Sequence, residues 1–344
     1  MSKTYKVAVA GATGAVGRAM LDILAQRQFP VGELALLASA RSAGTTVEWQ
    51  GQHLTVQALD DYDFAGTDLG LFSAGGSVSA VHAPRAAQAG CLVVDNTSEF
   101  RYRDDVPLVV AEVNPHALAN CRQTGIVANP NCSTMQLLVA LAPLHREAEI
   151  ERINIATYQS VSGAGQKGID ELVAQSNAIA AGQDASAGAP NQVFGDQIAF
   201  NVVPHIDRFE DNGYTREEMK LVWETQKILE APELGVNATA VRVPVVYGHA
   251  EAVHLETRRP LTVERARELL AAAPGVTLMD QRESGGYPTP ATHAAGTDPV
   301  FVGRIRQDLT HSRGLNLWVV SDNVRKGAAL NTIQLAELLV KSHL

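Results

Sequence analysis

The feature that most constrains the fold is a glycine-rich turn between a short apolar segment and a helical one. Tyr5–Ala10 read YKVAVA, the turn reads GATGAVG, and RAMLDILAQR follows directly. A run of β-forming residues, a turn with Gly11, Gly14 and Gly17, and an amphipathic run predict strand, turn and helix. Backbone amides at such a turn can hold a pyrophosphate. The segment therefore predicts a dinucleotide site, the alternative being a turn without a ligand.

Further strands and helices alternate through the first part of the chain. A helix is predicted over residues 79–90, between two of the strands. Strands are predicted at residues 33–39, 68–75 and 91–98, with edge strands at Leu108–Val113 and Gly125–Val127. This alternation is typical of a parallel, doubly wound sheet, so we predict a Rossmann-like α/β domain.

The pattern changes after Cys132. A helix is predicted from Thr134 to about Arg146, and alternating strands follow at residues 151–159, 238–257 and 315–322. Residues 183–192 are rich in Ala, Gly and Ser and predict a mobile loop. We therefore expect an α+β catalytic domain, with a C-terminal helix that returns to the first domain. The predicted domains are residues 1–131 plus 325–344, and residues 132–324.

Composition narrows the class of protein. Hydrophobic residues make up 46% and charged residues 19%, as in ordinary globular chains. A formal net charge of -9 without a basic patch argues against binding of nucleic acid or a membrane surface. The N-terminus shows no secretory segment, and no apolar run is long enough to cross a bilayer, so we expect a cytoplasmic protein.

The three cysteines predict neither a disulfide framework nor a metal site, because they are sparse and form no CxxC pair. Cys91 is predicted to lie in the core, and Cys121 to be a loop thiol. Cys132 stands in NPNCST, just before an apolar helical run, where unpaired amides would stabilise a thiolate.

The segment after the second strand discriminates between NADP and NAD. NAD sites usually place an acidic residue there for the ribose hydroxyl. This chain has Arg41 instead, flanked by Ser39 and Ser42. A guanidinium and hydroxyl groups suit a 2′-phosphate, so NADP is favoured. The alternative is that Arg41 is a solvated loop residue.

Polar side chains inside apolar strands complete a chemical set. They are Gln159 in TYQSVSGAG, and Arg242 and His249 in VRVPVVYGH. A cysteine nucleophile can attack a carbonyl carbon, and a histidine can move the protons. Together with a nicotinamide, Cys132 and His249 predict interconversion of an aldehyde with an activated acid. The arginines favour an anionic substrate.

The ordered motifs of the chain resemble those of the aspartate-β-semialdehyde dehydrogenase family, and look most like its bacterial, compact-chain branch. The match runs almost end to end. The matching segments are GATGAVG, SARSAG, NTSEFR, NPNCST, YQSVSGAG, IAFNVVPHID, EEMK, VRVPVVYGH and DNVRKGAALN.

The resemblance implies a reaction and an assembly. Members of this family reduce β-aspartyl phosphate with NADPH and release phosphate and aspartate β-semialdehyde. The product feeds lysine, threonine, methionine and diaminopimelate synthesis. The resemblance further implies a homodimer or homotetramer formed through the second domain, with the first domain binding NADP.

It also implies roles for individual residues. Cys132 would form the thioacyl intermediate, His249 would be the acid/base, and Gln159 would orient the substrate or acyl group. The substrate contacts would be Arg242 to the α-carboxylate, Glu217 to the α-ammonium, and Arg101 and Lys220 to the phosphate. Contacts to NADP(H) would come from Gly11, Thr13, Gly14, Ala15, Val16, Gly17, Arg41, Ser42, Ser162, Gly163 and Asn323.

Alternatives remain open at this point. Glu217 and Lys220 have the spacing of an ordinary exposed helix pair, and Glu218 is an adjacent candidate for the ammonium contact. An N-acetyl-glutamyl-phosphate reductase-like enzyme would share the general chemistry. A catalytically silent paralogue that binds nucleotide is the alternative from another class, although such a chain would be expected to lack Cys132 or His249.

Overall fold

The computed structural model describes residues 3–344. The chain folds into two compact units. The first comprises the residues up to Asn131 together with Ala328–Leu344, and the second is Cys132–Gly327. Each unit contains its own β-sheet.

Thirteen strands and seven α-helices form the described part of the chain. The strands are β1 (Tyr5–Ala10), β2 (Val31–Ala38), β3 (Thr46–Trp49), β4 (Gln52–Ala58), β5 (Leu69–Phe72), β6 (Leu92–Asp95), β7 (Ile126–Ala128), β8 (Ile150–Gln159), β9 (Gly235–Arg242), β10 (His249–Thr257), β11 (Val276–Leu278), β12 (Val300–Gln307) and β13 (Gly314–Ser321). The helices are α1 (Ala15–Gln26), α2 (Gly76–Gln88), α3 (Cys132–Ala148), α4 (Gln166–Ala180), α5 (Arg216–Ile228), α6 (Val263–Ala272) and α7 (Asn331–Ser342).

The first unit has a seven-stranded sheet in the order β3-β4-β2-β1-β5-β6-β7. All neighbouring strands are parallel except the β3–β4 hairpin. Helix α1 connects β1 to β2, and α2 lies between β5 and β6 in the chain. The sheet order reverses direction at β1, which is where open α/β sheets bind ligands. The predicted Rossmann-like fold is confirmed.

The C-terminal helix belongs to this first unit. Ile333, Leu335 and Leu339 of α7 are buried in the same core cluster as Ile23 and Leu24 of α1. The spacing of these apolar residues along α7 is what allows one face of the helix to be covered.

Two local predictions in the first unit are wrong. Leu108–Val113 forms one isolated bridge rather than a strand. Asn114 accepts a hydrogen bond from the backbone N–H of Val110 and donates one to the Leu108 carbonyl, and these bonds turn the chain. Cys121, predicted to be a loop thiol, lies in the short 3-10 helix Pro115–Gln123 and is buried in the core.

The second unit has a six-stranded mixed sheet in the order β11-β12-β13-β10-β8-β9. Strand β10 pairs antiparallel with β8 and β13, whereas β8 and β9 are parallel. Helix α3 packs against β10 and β13, and α5 packs against β9. This arrangement of strands and helices confirms the predicted α+β class.

The sheet register positions the predicted polar residues. Gln159 pairs with Arg242 at the carboxyl ends of the parallel strands β8 and β9. His249 begins the neighbouring strand β10, directly before the pair of Ala250 with Tyr158. Three residues that are distant in sequence therefore meet where β8 and β9 end and β10 begins.

Every helix within residues 3–344 is too short or too polar to cross a membrane.

Candidate active site

The site in the second unit is built around the first turn of α3. Cys132 is the first residue of this helix and is half-buried. A side-chain β-carbon added at Gly327 would lie 2.7 Å from the Cys132 β-carbon, so only glycine fits there. A thiolate at the start of a helix is stabilised by backbone amides and by the helix dipole.

A buried hydrogen-bond network lies beside this turn. The Gln159 amide nitrogen donates to Ser133 Oγ at 2.9 Å and to Glu217 Oε1 at 3.2 Å. Glu217 Oε2 accepts from Lys220 Nζ at 2.9 Å, and Lys220 also donates to Asp207 at 2.8 Å. The network links the first turns of α3 and α5 to the end of β8.

Glu217 and Lys220 are not an ordinary exposed pair. Only 7% of the Glu217 side chain and 13% of the Lys220 side chain are exposed. Burial by itself would lower the pKa of Lys220, but Glu217 and Asp207 outweigh it and the pKa is raised. Lys220 therefore remains a cation, and the reading of a solvated surface pair is wrong.

The adjacent carboxylate, Glu218, has a structural task. Thr215 accepts a hydrogen bond from the Glu218 backbone, while Glu218 Oε2 accepts one from the Thr215 backbone at 2.7 Å. Glu218 Oε1 accepts from the Ala240 backbone at 2.9 Å. Both carboxylate oxygens are thus occupied by backbone donors, which leaves Glu217 as the carboxylate of this turn that faces Gln159.

Arg242 is a buried cation at the end of β9. Its Nη1 donates to the Ser160 carbonyl at 2.6 Å, and its Nε has no hydrogen-bond partner among the described residues. Burial lowers its pKa, with Glu217 and Cys132 acting in the opposite direction. A buried guanidinium with unused donors can bind a carboxylate in a planar, two-point contact.

The two ring nitrogens of His249 have different surroundings. Nδ1 accepts a hydrogen bond from the Ser160 backbone N–H at 3.0 Å. Nε2 is buried without a hydrogen-bond partner in the described part of the chain. A neutral imidazole that accepts at Nδ1 carries its proton on Nε2.

The environment of His249 also sets its charge. The ring is completely buried, and burial, followed by repulsion from Arg242, lowers its pKa to about 3. Glu217 and the Gly248 backbone oppose this change without overcoming it. The side chain is therefore neutral near pH 7 and presents an N–H group at Nε2.

Three predicted cofactor contacts lie next to His249. Asn323 Oδ1 accepts from the Gly248 backbone N–H at 3.0 Å and from the hydroxyls of Ser160 and Ser162. At Gly163, an added β-carbon would lie 2.9 Å from Arg242 Nη1 and 3.4 Å from the His249 ring. The backbone of this loop therefore packs directly against the two polar side chains.

The glycine turn in the first unit fits a pyrophosphate. Gly11 has φ of +88°, and a β-carbon there would lie 2.5 Å from the Ser73 carbonyl oxygen. Thr13 and Gly14 complete the turn, and helix α1 begins at Ala15, with Val16 and Gly17 in its first turn. A compact turn that ends at a helix N-terminus supplies the amides that bind phosphate.

The remaining predicted contacts also lie in the first unit. Arg41 and Ser42 follow β2 in a turn, and Arg41 is exposed and has no ion pair within residues 3–344. Arg101 is buried, and its Nη2 donates to the Asn96 carbonyl at 2.8 Å.

The sequence reasoning missed three residues of this site. Ser160 holds Nδ1 of His249, Ser133 accepts from Gln159, and Asp207 binds Lys220. Each one lies inside a motif that matched the family, yet short polar residues in motifs carry no separate signal. Only the fold shows which of them contact His249, Gln159 and Lys220.

Two family models match the chain in order. One is described as the semialdehyde dehydrogenase NAD binding domain and matches residues 6–121. The other is described as the semialdehyde dehydrogenase dimerisation domain and matches residues 141–326. A protein of Legionella pneumophila named aspartate-semialdehyde dehydrogenase is 57% identical over 100% of this chain and 98% of its own length.

The chain belongs to the aspartate-semialdehyde dehydrogenase family.

Solved structures agree with this membership. The Vibrio cholerae aspartate-semialdehyde dehydrogenase II complexed with ASA has a TM-score of 0.96 and 54% identity, with 100% of both chains covered. The Candida albicans aspartate-semialdehyde dehydrogenase with NADP has a TM-score of 0.74 and 27% identity, covering 98% of this chain and 99% of its own.

Membership of the aspartate-semialdehyde dehydrogenase family fixes the general activity. The chain is an oxidoreductase of the aspartate pathway of amino-acid biosynthesis, with a nicotinamide-binding domain and a dimerisation domain. The prediction of this family and activity is confirmed. This family assignment is favoured over the two alternatives, an N-acetyl-glutamyl-phosphate reductase-like enzyme and a catalytically silent paralogue.

Proposed function

We propose that the protein reduces β-aspartyl phosphate to aspartate β-semialdehyde, with release of phosphate, through a thioacyl intermediate on Cys132. The observation that carries this proposal is the position of Cys132. It begins α3 in the same unit as Arg242, His249 and the Gln159–Glu217–Lys220 network. This set provides a nucleophile, a proton donor and charges of both signs for a zwitterionic acyl phosphate.

The Cys132 thiolate attacks the acyl carbon of the substrate, and phosphate leaves as the carbon–sulfur bond forms. The helix N-terminus stabilises the thiolate. The positive charge of Arg242 also favours the thiolate, because the two groups attract each other electrostatically. A nicotinamide, when bound, supplies the hydride that reduces the acyl group.

His249 holds a proton at Nε2 toward the reacting group. Because the ring is neutral near pH 7, its N–H donates a hydrogen bond to the carbonyl oxygen, where negative charge develops. The Ser160 backbone keeps the proton on Nε2 by occupying Nδ1. Collapse of the tetrahedral species then releases the aldehyde and returns the thiolate to Cys132.

The substrate's charged groups match the remaining side chains. Arg242 offers unused donors to the α-carboxylate. Glu217 is the carboxylate that binds the α-ammonium. Gln159, which donates a hydrogen bond to Glu217, orients the acyl group. Arg101 and Lys220 are assigned to the phosphate, since both are buried cations.

We assign NADP(H) as the cofactor, held by the glycine turn and by Arg41 and Ser42. The turn excludes side chains at Gly11, as a pyrophosphate cradle requires. Arg41 is exposed, and no acidic residue within residues 3–344 forms an ion pair with it, so its guanidinium can take a 2′-phosphate. Ser162, Gly163 and Asn323 are the contacts assigned in the second unit.

We further propose a cytoplasmic homodimer, with a tetramer as the larger alternative, whose product enters lysine, threonine, methionine and diaminopimelate synthesis. The second copy would pack on the sheet face of the second unit opposite to α3. Along β10, alternate residues Ala252, His254 and Glu256 are partly exposed, while Glu251 and Val253 are buried. A sheet face of this kind is suited to an isologous contact.

The assignment of Cys132 is tested in the reverse reaction, with semialdehyde, phosphate and NADP, by NADPH absorbance. Cys132→Ala is expected to lose at least a thousandfold in kcat, because no thioacyl group can form. Cys91→Ala, a buried cysteine of the first unit, is the matched control and should keep most of its activity. Equal rates for Cys132→Ala and wild type would remove Cys132 from the mechanism, and activity on N-acetyl-glutamate semialdehyde alone would overturn the substrate.

The cofactor preference is tested with Arg41→Ala. Loss of the guanidinium is expected to raise the KM for NADP about tenfold or more, while the KM for NAD changes little. Arg282→Ala, which alters an exposed arginine of the second unit, serves as the control for general loss of positive charge. A parallel change in both KM values would show that Arg41 does not recognise the 2′-phosphate.

A further inference from the structure

Glu251 is a buried acidic residue that the proposed mechanism does not use. It lies in β10, two residues after His249, and its side chain is completely inaccessible to solvent. In the sheet register it pairs with Thr157 of β8, which itself stands two residues before Gln159. Because alternate residues of a strand share a face, Glu251 lies on the same face as His249.

Helix α3 covers this face of the sheet. Gln136 stands four residues after Cys132 on α3, so it lies on the same side of the helix, one turn further along. Its amide is close enough to the Glu251 carboxyl group to oppose the rise in the Glu251 pKa, although no hydrogen bond between the two is fully formed. Glu251 and Gln136 therefore connect the strand of the proton donor to the helix of the nucleophile.

The polar atoms at this junction are under-satisfied. Both carboxyl oxygens of Glu251, both polar atoms of the Gln136 amide and the hydroxyl of Ser321 are buried without a well-formed hydrogen bond within residues 3–344. Ser321 pairs with His249 in the register of β10 and β13. Buried polar groups of this kind are rare and costly, so their retention at a reaction centre calls for a reason.

An uncharged carboxylic acid and a primary amide are complementary. The acid O–H can donate to the amide oxygen while the amide N–H donates to the acid carbonyl. A carboxylate can only accept, so ionisation removes one of the two bonds and leaves a buried charge.

We propose that Glu251, as an uncharged acid paired with Gln136, is a positioning residue that ties α3 to β10 and so holds Cys132 in place relative to His249. The proposal rests on the assignment of Cys132 and His249 in the proposed function. Glu251 touches neither substrate nor cofactor in this role and acts through the helix and strand that it joins.

The surroundings of Glu251 keep it uncharged. Burial raises its pKa well above the ordinary value, and Gln136 opposes this only in part. The titratable groups of the packed elements on this face are Cys132 and His145 of α3 and His249 of β10, while β8 and β13 contribute Thr157 and Ser321 beside it. Among the described residues, no cation acts on the pKa of Glu251 to favour the ionised form.

Ionisation of Glu251 would act on Cys132 in two ways. It would remove the O–H group that can donate to Gln136, and it would place a negative charge on the sheet face that α3 covers. At a separation of about 10 Å, a unit charge disfavours a second negative charge by roughly tenfold at an effective dielectric constant of about 20. Activity should therefore fall at alkaline pH as Glu251 loses its proton.

The test compares three variants in the reverse assay between pH 6 and 10, together with the alkylation rate of Cys132 by iodoacetamide. Glu251→Gln can still pair with Gln136, so kcat at pH 7 should stay within about threefold of wild type, and the alkaline fall that Glu251 causes should disappear. Glu251→Leu and Gln136→Leu should each lower kcat about tenfold or more with little change in KM.

The control is Glu171→Gln, which makes the same change at a buried acid of α4 that binds the backbone of residues 192 and 193. It should retain the alkaline fall of wild type. Circular dichroism establishes that each variant is folded, and if the leucine variants do not fold, the pH profile of Glu251→Gln decides.

An alkaline fall in Glu251→Gln equal to that of wild type would overturn the proposal, as would full activity of Glu251→Leu. These results differ from failure of the proposed function, in which Cys132→Ala itself would remain active.

Discussion

At the residue scale, His249 shows how a fold can choose the chemical role of a titratable side chain. Its Nδ1 is occupied by the Ser160 backbone, and Asn323 holds the Ser160 hydroxyl. Complete burial and the nearby charge of Arg242 then disfavour the imidazolium. The same histidine in a solvated strand would be a base of ordinary strength, whereas here it is held in the neutral form.

This burial makes stability depend on pH in a defined direction. The folded pKa of His249, about 3, lies below the unfolded value of 6.5. As pH falls below about 6.5, the unfolded chain binds a proton that the folded chain does not, so this contribution to stability is present above 6.5 and is lost on acidification.

Between pH 7 and pH 5, the free energy of unfolding should therefore fall by about 1–2 kcal/mol less in His249→Asn than in wild type. Urea denaturation at the two pH values measures the difference, and His53→Asn, at an exposed histidine of the first unit, is the control. We also expect a large fall in turnover with an intact fold. An identical pH dependence of stability would mean that His249 is protonated in the folded protein, and an unchanged rate would exclude its role as donor.

At the element scale, α5 illustrates how a helix terminus positions a site. Thr215 and Glu218 form a reciprocal capping box, Glu217 lies inside this box, and Lys220 follows it by two residues. The box fixes where the helix begins, and that start sets which way the two charged side chains point.

Thr215→Ala should destabilise the protein by about 1 kcal/mol, because the cap bond to the Glu218 backbone is lost. It should also raise the KM for the semialdehyde several-fold through displacement of Glu217. Thr262→Ala removes the equivalent cap bond of α6, which carries no site residue, and should cost similar stability without a change in KM. Thermal unfolding and steady-state kinetics distinguish the two effects, and equal KM values for both variants would contradict this role of α5.

At the scale of the whole molecule, the proposed cofactor turn and the proposed catalytic side chains lie on two sheets of different kinds. The largely parallel sheet of the first unit carries the glycine turn at the end of β1, and the mixed sheet of the second unit carries Gln159, Arg242 and His249. On the second sheet, one face lies under α3 and the opposite face is lined by residues such as Asn154, Ala252 and Trp318.

A bulky charge on that open face should weaken the proposed dimer. Ala252→Arg places a cation at the centre of the face, and light scattering after gel filtration should show a shift from dimer to monomer. Leu309→Arg, at a residue that is 99% exposed, is the control and should leave the mass unchanged. A dimer that persists in Ala252→Arg would place the contact elsewhere.

Much of this organisation was accessible from patterns in the chain. Strong local signals predicted β1, α1, β8 and the C-terminal helix because hydrophobic period and glycine punctuation are local properties. The β3–β4 hairpin and the helix α5 were not predicted. The strand expected at Leu108–Val113 failed because Asn114 offers the backbone hydrogen bonds that bend the chain instead.

By itself, the sequence determined the family, the alternation of strands and helices, and the kinds of side chain available for catalysis, since these depend on residue type and order. Only the tertiary structure decided how those side chains are used. Burial and hydrogen-bond partners make His249 neutral, bury the Glu217–Lys220 pair, assign Glu218 to a helix cap and leave Glu251 inside the core. Each of these properties depends on residues far apart in the chain that meet only in the folded protein.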